Sequence, residues 1–338
     1  MKRYLKNYVV ILFGCFLFST LGCQNKTNII DNGSLLTERA IHLDSIVCKY
    51  PRIQISDSLC CVADLQASSN YFHIYSFPDF KYIKSLGVKG NGHEEINTLI
   101  DFSFNSGIIS ALCGGSSKIL TYNVVTEEIK CFELPKGITP IKICSNQSEG
   151  WYVYSLNSDY AIYEVKSSGD VLPIMREPTH SSNSVAAEKN SVWQSVIAFN
   201  NNVLAYATNA GDYVSFLDKN NNYSIINSFE GNHGEPKIVV KHYNGYDTSG
   251  LNYIGYVDIC CGEKYVYTLF RGEELFDKDS TDIENEVRVF DYNGKLIKKY
   301  GFEKSLDPSS FCVDEKNNKI YMVVPDEDKQ IFVYSIDS

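Results

Sequence analysis

The sequence predicts an all-β chain made of one small sheet repeated around a ring, and three observations carry this. Tyr, Phe, Ile and Val are abundant among 338 residues that are 44% apolar and 13% aromatic, with Asn and Gly recurring between short runs of them, the composition of many strands and turns. A hairpin is legible in residues 286–301, E-V-R-V-F-D-Y-N-G-K-L-I-K-K-Y-G. Its strand pattern returns six times along the chain at a nearly constant step.

In the hairpin, residues 287–292 and 295–300 are β-branched and aromatic runs joined by Asn293-Gly294, a pair that takes the left-handed φ values of a two-residue type I′ turn at little steric cost. Val287 and Val289 on one face, with Phe290 and Tyr292 on the other, mark a strand covered on both sides. Lys295, Lys298 and Lys299 in the second run have the pattern of a protected sheet edge. Such a unit suits a small sheet wedged between copies of itself.

Taken in order, the first unit has runs at residues 60–64, 71–76 and 82–87, the second at 108–112, 118–122 and 128–132, and the third at 151–154, 161–165 and 171–174. The fourth has 203–207, 213–216 and 223–229, the fifth joins 265–269 to the hairpin, and the sixth has 319–324 and 331–334. Ile74, Ile119, Ile162, Val214, Val289 and Phe332 are equivalent middle positions, at steps of 45, 43, 52, 75 and 43. Four of these steps lie near the ~40–50 residues of one four-stranded blade. The long step holds two inserted loops, residues 231–252 and 271–284. Ile100-Asp101-Phe102, Ile141-Lys142-Ile143, Val257-Asp258-Ile259 and Phe311-Cys312-Val313 supply an innermost strand for their units. The sixth unit ends one strand short, while residues 39–43, R-A-I-H-L, are one strand too many at the other end. Pairing the two closes a ring and removes its open edge. The expected fold is therefore a six-bladed β-propeller over residues 36–338, closed by an N-terminal strand. Two face-packed sheets would also use many strands but give no reason for the step.

Residues 1–22 are expected to be a signal peptide. Lys2, Arg3 and Lys6 precede an apolar run at residues 8–18, too short to span a bilayer and ordered like a secretory leader. Ser19-Thr20-Leu21-Gly22-Cys23 resembles a bacterial lipobox, with Thr20 standing where Leu is usual. The resemblance implies that Cys23 carries a diacylglyceryl group, each buried CH₂ contributing ~0.8 kcal/mol to membrane attachment. Residues 23–35 then form a polar, lipidated tether. Gln24 replaces the aspartate that retains many such proteins at the inner membrane, and the tether lacks an acidic export cluster. The expected address is the outer membrane, periplasmic face.

The formal charge is −10, and −13 once Lys2, Arg3 and Lys6 leave, with 28 basic residues against 41 acidic ones. No nucleic-acid partner is expected from a chain without a basic footprint. Nine cysteines follow Cys23: Cys48, Cys60, Cys61, Cys113, Cys131, Cys144, Cys260, Cys261 and Cys312. An odd number is no disulfide framework, and adjacent cysteines in one strand point to opposite faces, so neither Cys60-Cys61 nor Cys260-Cys261 suggests chelation. Most read as small core hydrophobes.

Two segments echo each other, Gly90-Asn91-Gly92-His93-Glu94-Glu95-Ile96 and Gly231-Asn232-His233-Gly234-Glu235-Pro236. Each follows an outer strand and reads as a blade-to-blade crossing. With the lipobox and the run at residues 289–295, the chain resembles the TolB-like six-bladed propeller lipoproteins typical of Bacteroidota, whose crossing is often Gly-x-Gly-Pro-Gly-Glu-Phe. Here His93, Glu94 and Ile96 replace Pro, Gly and Phe, while Glu95 keeps its place. The resemblance implies an envelope protein for which binding is presumed more often than catalysis.

His93, Glu94, Glu95, His233 and Glu235 are the candidate ligand-binding residues, since equivalent crossings open on one face of a ring. Together they have the donors for a divalent metal, although the glycines also serve a simpler end, positive φ, and a carboxylate there can accept backbone N–H bonds in the turn. Asp277, Asp279, Asp282, Glu284 and Glu286 form an acidic loop without the glycine of an EF-hand, and read as solvated surface. There is no H-E-x-x-H, no G-x-S-x-G and no P-loop, so no catalytic residue and no cofactor is assigned. The expected role is a binding or scaffold module for a glycan, a peptide or an envelope protein. The alternative is a hydrolase or lyase with a carboxylate or histidine site in the funnel.

Overall fold

The computed structural model describes residues 31–35, 37–43, 48–115, 117–147, 149–156, 159–176, 192–243, 246–251, 253–274, 283–325 and 331–336. The leader, Cys23, and Asp277, Asp279 and Asp282 of the acidic loop lie outside the described residues.

Among the described residues, six blades of four antiparallel strands follow one another around an axis, one of them carrying a fifth strand, beside a separate two-stranded sheet. Blade 1 has strands Pro51–Ser56, Leu59–Asp64, Asn70–Ser76 and Tyr82–Val88, and blade 2 has Thr98–Asn105, Ile108–Gly114, Lys118–Asn123 and Ile129–Glu133. Blade 3 has Thr139–Ser145, Gly150–Leu156, Ile162–Lys166 and Val171–Met175; blade 4 has Ser195–Asn200, Val203–Thr208, Tyr213–Asp218 and Ser224–Glu230. Blade 5 has Tyr253–Cys261, Tyr265–Glu274, Glu286–Asp291 and Leu296–Gly301. Blade 6 takes Ser310–Asp314, Lys319–Val323 and Ile331–Ser335 from the C-terminal end and Thr37–Ile41 from the N-terminal end. That last strand pairs antiparallel, Ala40 opposite Phe332, and closes the ring as expected. Each innermost strand, the first of its blade, packs beside the next, with the blade 6 strand meeting that of blade 1.

Alternation explains why the blades stick. Side chains of one strand point to opposite faces, and each face meets a different neighbour. In the founding hairpin, Val287 and Val289 pack toward blade 6 with Phe311, Ile320 and Met322, while Phe290 lies against Phe216 and Phe229 of blade 4, ring centroids 5.6 and 5.2 Å away. Blades 1 and 2 share Phe72, Phe102, Ile109 and Leu120; blades 6 and 1 share Cys60, Val62, Tyr321 and Val333. Burying each such side chain stabilises by about 1.5–3 kcal/mol.

Three local expectations change. The hairpin turn is not type I′, because Gly294 has φ +76° while Asn293 is not left-handed. Asp291 Oδ1 accepts from the backbone N–H of Asn293 and Lys295, which fixes a type I turn followed by a left-handed glycine. The lysine-rich strand Leu296–Gly301 is not the edge of its sheet, since Asp31–Ser34, the end of the expected tether, pairs parallel with it as a fifth strand. Within the first inserted loop, Ile238–Tyr243 and Tyr246–Leu251 form a separate two-stranded hairpin.

All nine cysteines are free thiols. Cys48, Cys60, Cys61, Cys113 and Cys312 are buried, where desolvation pushes the Cys48 thiol up to about 12 and the Cys113 thiol to about 11. Such thiols are inert small hydrophobes.

Candidate functional site

The axis of the ring opens at both ends. The upper mouth lies where the innermost strands begin, on the side of the blade-to-blade crossings, and is lined by Tyr50, Gln194, Asn209, Tyr256, Arg271 and Asp307 around a cavity of about 360 Å³. The lower mouth lies where those strands end, a cavity of about 310 Å³ walled by Gln54, Asn105, Ser145, Phe199, Cys261 and Val313. Both volumes suit a small solute or the end of a chain. Among the described residues, Arg52 and Lys142 line both cavities. They form the partition between the two mouths.

The partition is a layer of charge from the middle of successive innermost strands: Arg52 of blade 1, Asp101 of blade 2, Lys142 of blade 3 and Asp258 of blade 5, with Ser310 of blade 6. Blade 4 contributes Val196, Ile197 and Ala198 to the wall. Arg52 Nη2 donates to Asp258 Oδ1 at 2.7 Å, and Arg52 Nη1 lies 3.7 Å from Asp101 Oδ1. Asp258 Oδ2 accepts from Ser310 Oγ at 2.6 Å and from the Phe311 N–H at 3.2 Å. Asp101 Oδ2 accepts from the Ile143 N–H at 3.0 Å. Burial opposes the charge on Arg52, but Asp258 and Asp101 more than offset it, so its pKa is raised.

Lys142 differs. Burial, followed by the Arg52 guanidinium, holds its pKa below the usual lysine value, and the attraction of Asp101 and Asp258 does not restore it. Asp258 accepts from Arg52, Ser310 and the Ile259 and Phe311 N–H groups, and Asp101 accepts from the Ile143 N–H. Among the described residues the ammonium has no hydrogen bond and no ion pair within 4 Å.

The candidates from the crossings do not gather. His93, Glu94 and Glu95 lie between blades 1 and 2, while His233 and Glu235 lie between blades 4 and 5, three blades round a six-bladed ring and so on opposite sides of the axis. Glu95 Oε2 accepts from the Gly92 N–H at 2.7 Å. Tyr122 donates its hydroxyl to the Glu94 carbonyl and Lys118 its ammonium to the His93 carbonyl. A Cβ on Gly90 would lie 2.0 Å from Glu95 Oε2, and one on Gly231 1.9 Å from Asp212 Oδ2. These glycines make room for a carboxylate; neither has the positive φ expected of it. Among the described residues, no group of three or more His, Cys, Asp or Glu side chains is placed to hold a metal ion.

His233 joins a second polar cluster, at the seam of blades 4 and 5. It stacks on Tyr253, centroids 3.8 Å apart, and its Nε2 lies 3.7 Å from Glu284 Oε1. Beneath it Arg288, fully buried, donates from Nη1 to Asp212 Oδ1 at 2.6 Å and from Nε to Glu286 Oε2 at 2.7 Å, with its guanidinium 3.5 Å from the Phe270 ring centroid. Glu286 is held by this buried cation, while Glu284, 3.5 Å from Arg288 Nη2, keeps a side chain 40% exposed as expected of solvated surface.

The layer of charge has a signal in the sequence that strand alternation alone does not interpret. Ile100-Asp101-Phe102, Ile141-Lys142-Ile143 and Val257-Asp258-Ile259 share one form, a charge between two apolar residues mid-strand. In a ring those positions face a common axis.

The TolB-like 6-blade propeller-like family matches residues 31–316 of the chain. Among solved structures, a member of the DUF4221 family from Bacteroides vulgatus is similar at 12% identity and a TM-score of 0.58, over 89% of this chain and 96% of that one. Virginiamycin B lyase from Staphylococcus aureus is similar at 12% identity and a TM-score of 0.50, over 88% and 99%. At such identities the likeness shows the fold alone. None of the curated proteins matches the sequence.

Proposed function

Because the chain belongs to the TolB-like six-bladed propeller family, and from the layout of its axis, we propose that it is a binding module of the cell envelope, anchored through Cys23, whose upper funnel takes a small ligand or the end of a partner chain. The observation that carries this is the state of the channel carboxylates. Asp101 and Asp258 converge on the axis, yet Asp258 is engaged by Arg52, Ser310 and two backbone N–H groups and Asp101 by the Ile143 N–H, so the layer offers no free pair of carboxylates to act as general acid and base. Binding needs only that a rigid ring present side chains to a cavity, and the upper mouth does so with Tyr50, Gln194 and Arg271. The hydrolase or lyase alternative finds no free pair of carboxylates in this layer among the described residues; Lys142 is its ionisable group without a partner.

A photoreactive phenylalanine analogue at Tyr50, which is 40% exposed on the upper rim, tests the reading in native envelopes. Discrete adducts by mass spectrometry are expected, absent when the same group replaces Val125, 81% exposed. The same adducts from both positions, or none from Tyr50, would sink the reading. For the anchor, Cys23→Ser is expected to abolish incorporation of a radioactive fatty acid; equal labelling of both forms would rule out lipidation there.

A further inference from the structure

We propose that Lys142 is the anchor for an oxyanion, the carboxylate or phosphoryl group of a small solute that enters through the upper mouth. This rests on the channel being the binding site and names the chemistry that site takes.

The layer holds two cations and two carboxylates, so formal charge alone does not choose a ligand; hydrogen-bond accounting does. Arg52 donates one hydrogen bond to Asp258 at 2.7 Å and stands 3.7 Å from Asp101, so it is ion-paired on both sides. Asp258 is filled by Arg52, Ser310 Oγ and the Ile259 and Phe311 N–H groups, and Asp101 accepts from the Ile143 N–H. The Lys142 ammonium, three donors, is the cation of the layer with neither a hydrogen bond nor an ion pair among the described residues, and it stands on the partition between the two mouths. The side chain is half-buried, so its ammonium, without a protein acceptor, stands open to a ligand in the channel.

The mouth above it favours an anion as well. Among the described residues, the charged groups that line the upper cavity are Arg52, Lys142, Arg271 and Asp307. Arg271 is itself held by Asp307 and Glu273, so it shapes the entrance and leaves Lys142 as the free donor. Leu65, Ile254 and Val257 line the same cavity, and apolar walls strengthen a charge-assisted hydrogen bond. An oxyanion with a short apolar or hydroxylated body fits a cavity of about 360 Å³.

The test follows thermal unfolding of the full chain in detergent at constant ionic strength, with chloride exchanged for acetate or for inorganic phosphate. A ligand that binds the folded state raises the midpoint in a saturable way. We expect such a rise for the wild type and for Lys130→Met, a lysine 58% exposed on blade 2. Lys142→Met, which keeps the stem and removes the charge, weakens the oxyanion roughly tenfold or more, and Lys142→Arg retains the response. Saturation by phosphate alone assigns the solute to phosphoryl compounds, and by acetate alone to carboxylates. The proposal is overturned by a saturable rise equal in wild type and K142M, or by no rise in the wild type up to about 100 mM. Adducts from the Tyr50 probe that persist unchanged in K142M would leave the channel a binding site and remove the oxyanion from it.

Discussion

Arg288→Met is expected to cost about 3–5 kcal/mol, the penalty for leaving one member of a buried ion pair without its partner. Arg288 and Asp212 are each 1% exposed and belong to neighbouring blades. Burial opposes the arginine's charge, and Tyr256, Asp212 and Glu286 more than offset it, so its pKa is raised. With the guanidinium gone, Asp212 retains one side-chain hydrogen bond, from the Tyr256 hydroxyl at 2.8 Å. Its Oδ2, which already has no hydrogen-bond partner, stays pressed against Gly231. The Phe270 face also loses a cation 3.5 Å from its centroid, worth up to about 2 kcal/mol where desolvated. Urea unfolding followed by the fluorescence of Trp151 and Trp193 reads the loss as a midpoint lower by roughly 1 M or more, at a slope of about 3 kcal/mol/M. The double variant Arg288→Met with Asp212→Asn should lose less than the single one, because no carboxylate is then stranded. Equal losses, or a single-variant loss under about 1 kcal/mol, would mean that the seam is held by Phe216, Phe229 and Phe290 alone.

The contrast between this seam and the rest of the ring shows what a sequence can display. Period-two alternation and a recurring step report the average environment of a strand, and they sufficed for the blades, the innermost strands and the N-terminal closure. They report nothing about which partner a given side chain meets. Arg288 sits in E-V-R-V-F-D between valines, where alternation gives it the face of Phe290, and no local feature says that Asp212, 76 residues earlier, will be there. The crossings misled for a related reason. In both crossings a carboxylate lies against the first glycine, Glu95 at Gly90 and Asp212 at Gly231, but neither is the glutamate of Gly-Asn-x-x-Glu, and likeness of sequence is not proximity in space. The channel layer is the intermediate case: its residues share a sequence form, but only a ring converts equal strand position into convergence on one axis.

Asp258→Asn is the second large effect, about 3 kcal/mol, and it is expected to appear first in blade 6. Asp258 stands on blade 5, accepts from Arg52 of blade 1, and accepts from Ser310 Oγ and the Phe311 N–H at the start of blade 6. Ser310 Oγ in turn accepts the Ile53 N–H of blade 1 at 3.3 Å. One carboxylate thus ties the blade that closes the ring to both of its neighbours at the axis, while Thr37–Ile41 ties it at the rim. An amide offers one acceptor where the carboxylate offered two, and turns an N–H₂ toward donors that no longer have an acceptor. Arg52 is left with Asp101 at 3.7 Å, too long for a hydrogen bond. Asp101→Asn, which breaks only that longer contact and one bond to Ile143, should cost about 1 kcal/mol. Hydrogen exchange separates the two variants. In D258N the amides of Thr37–Ile41 and Ile331–Ser335 should lose protection before those of blades 2 and 3, since local opening begins where ties are fewest. Uniform loss of protection around the ring would place the weak point elsewhere and deny Asp258 its part in closure.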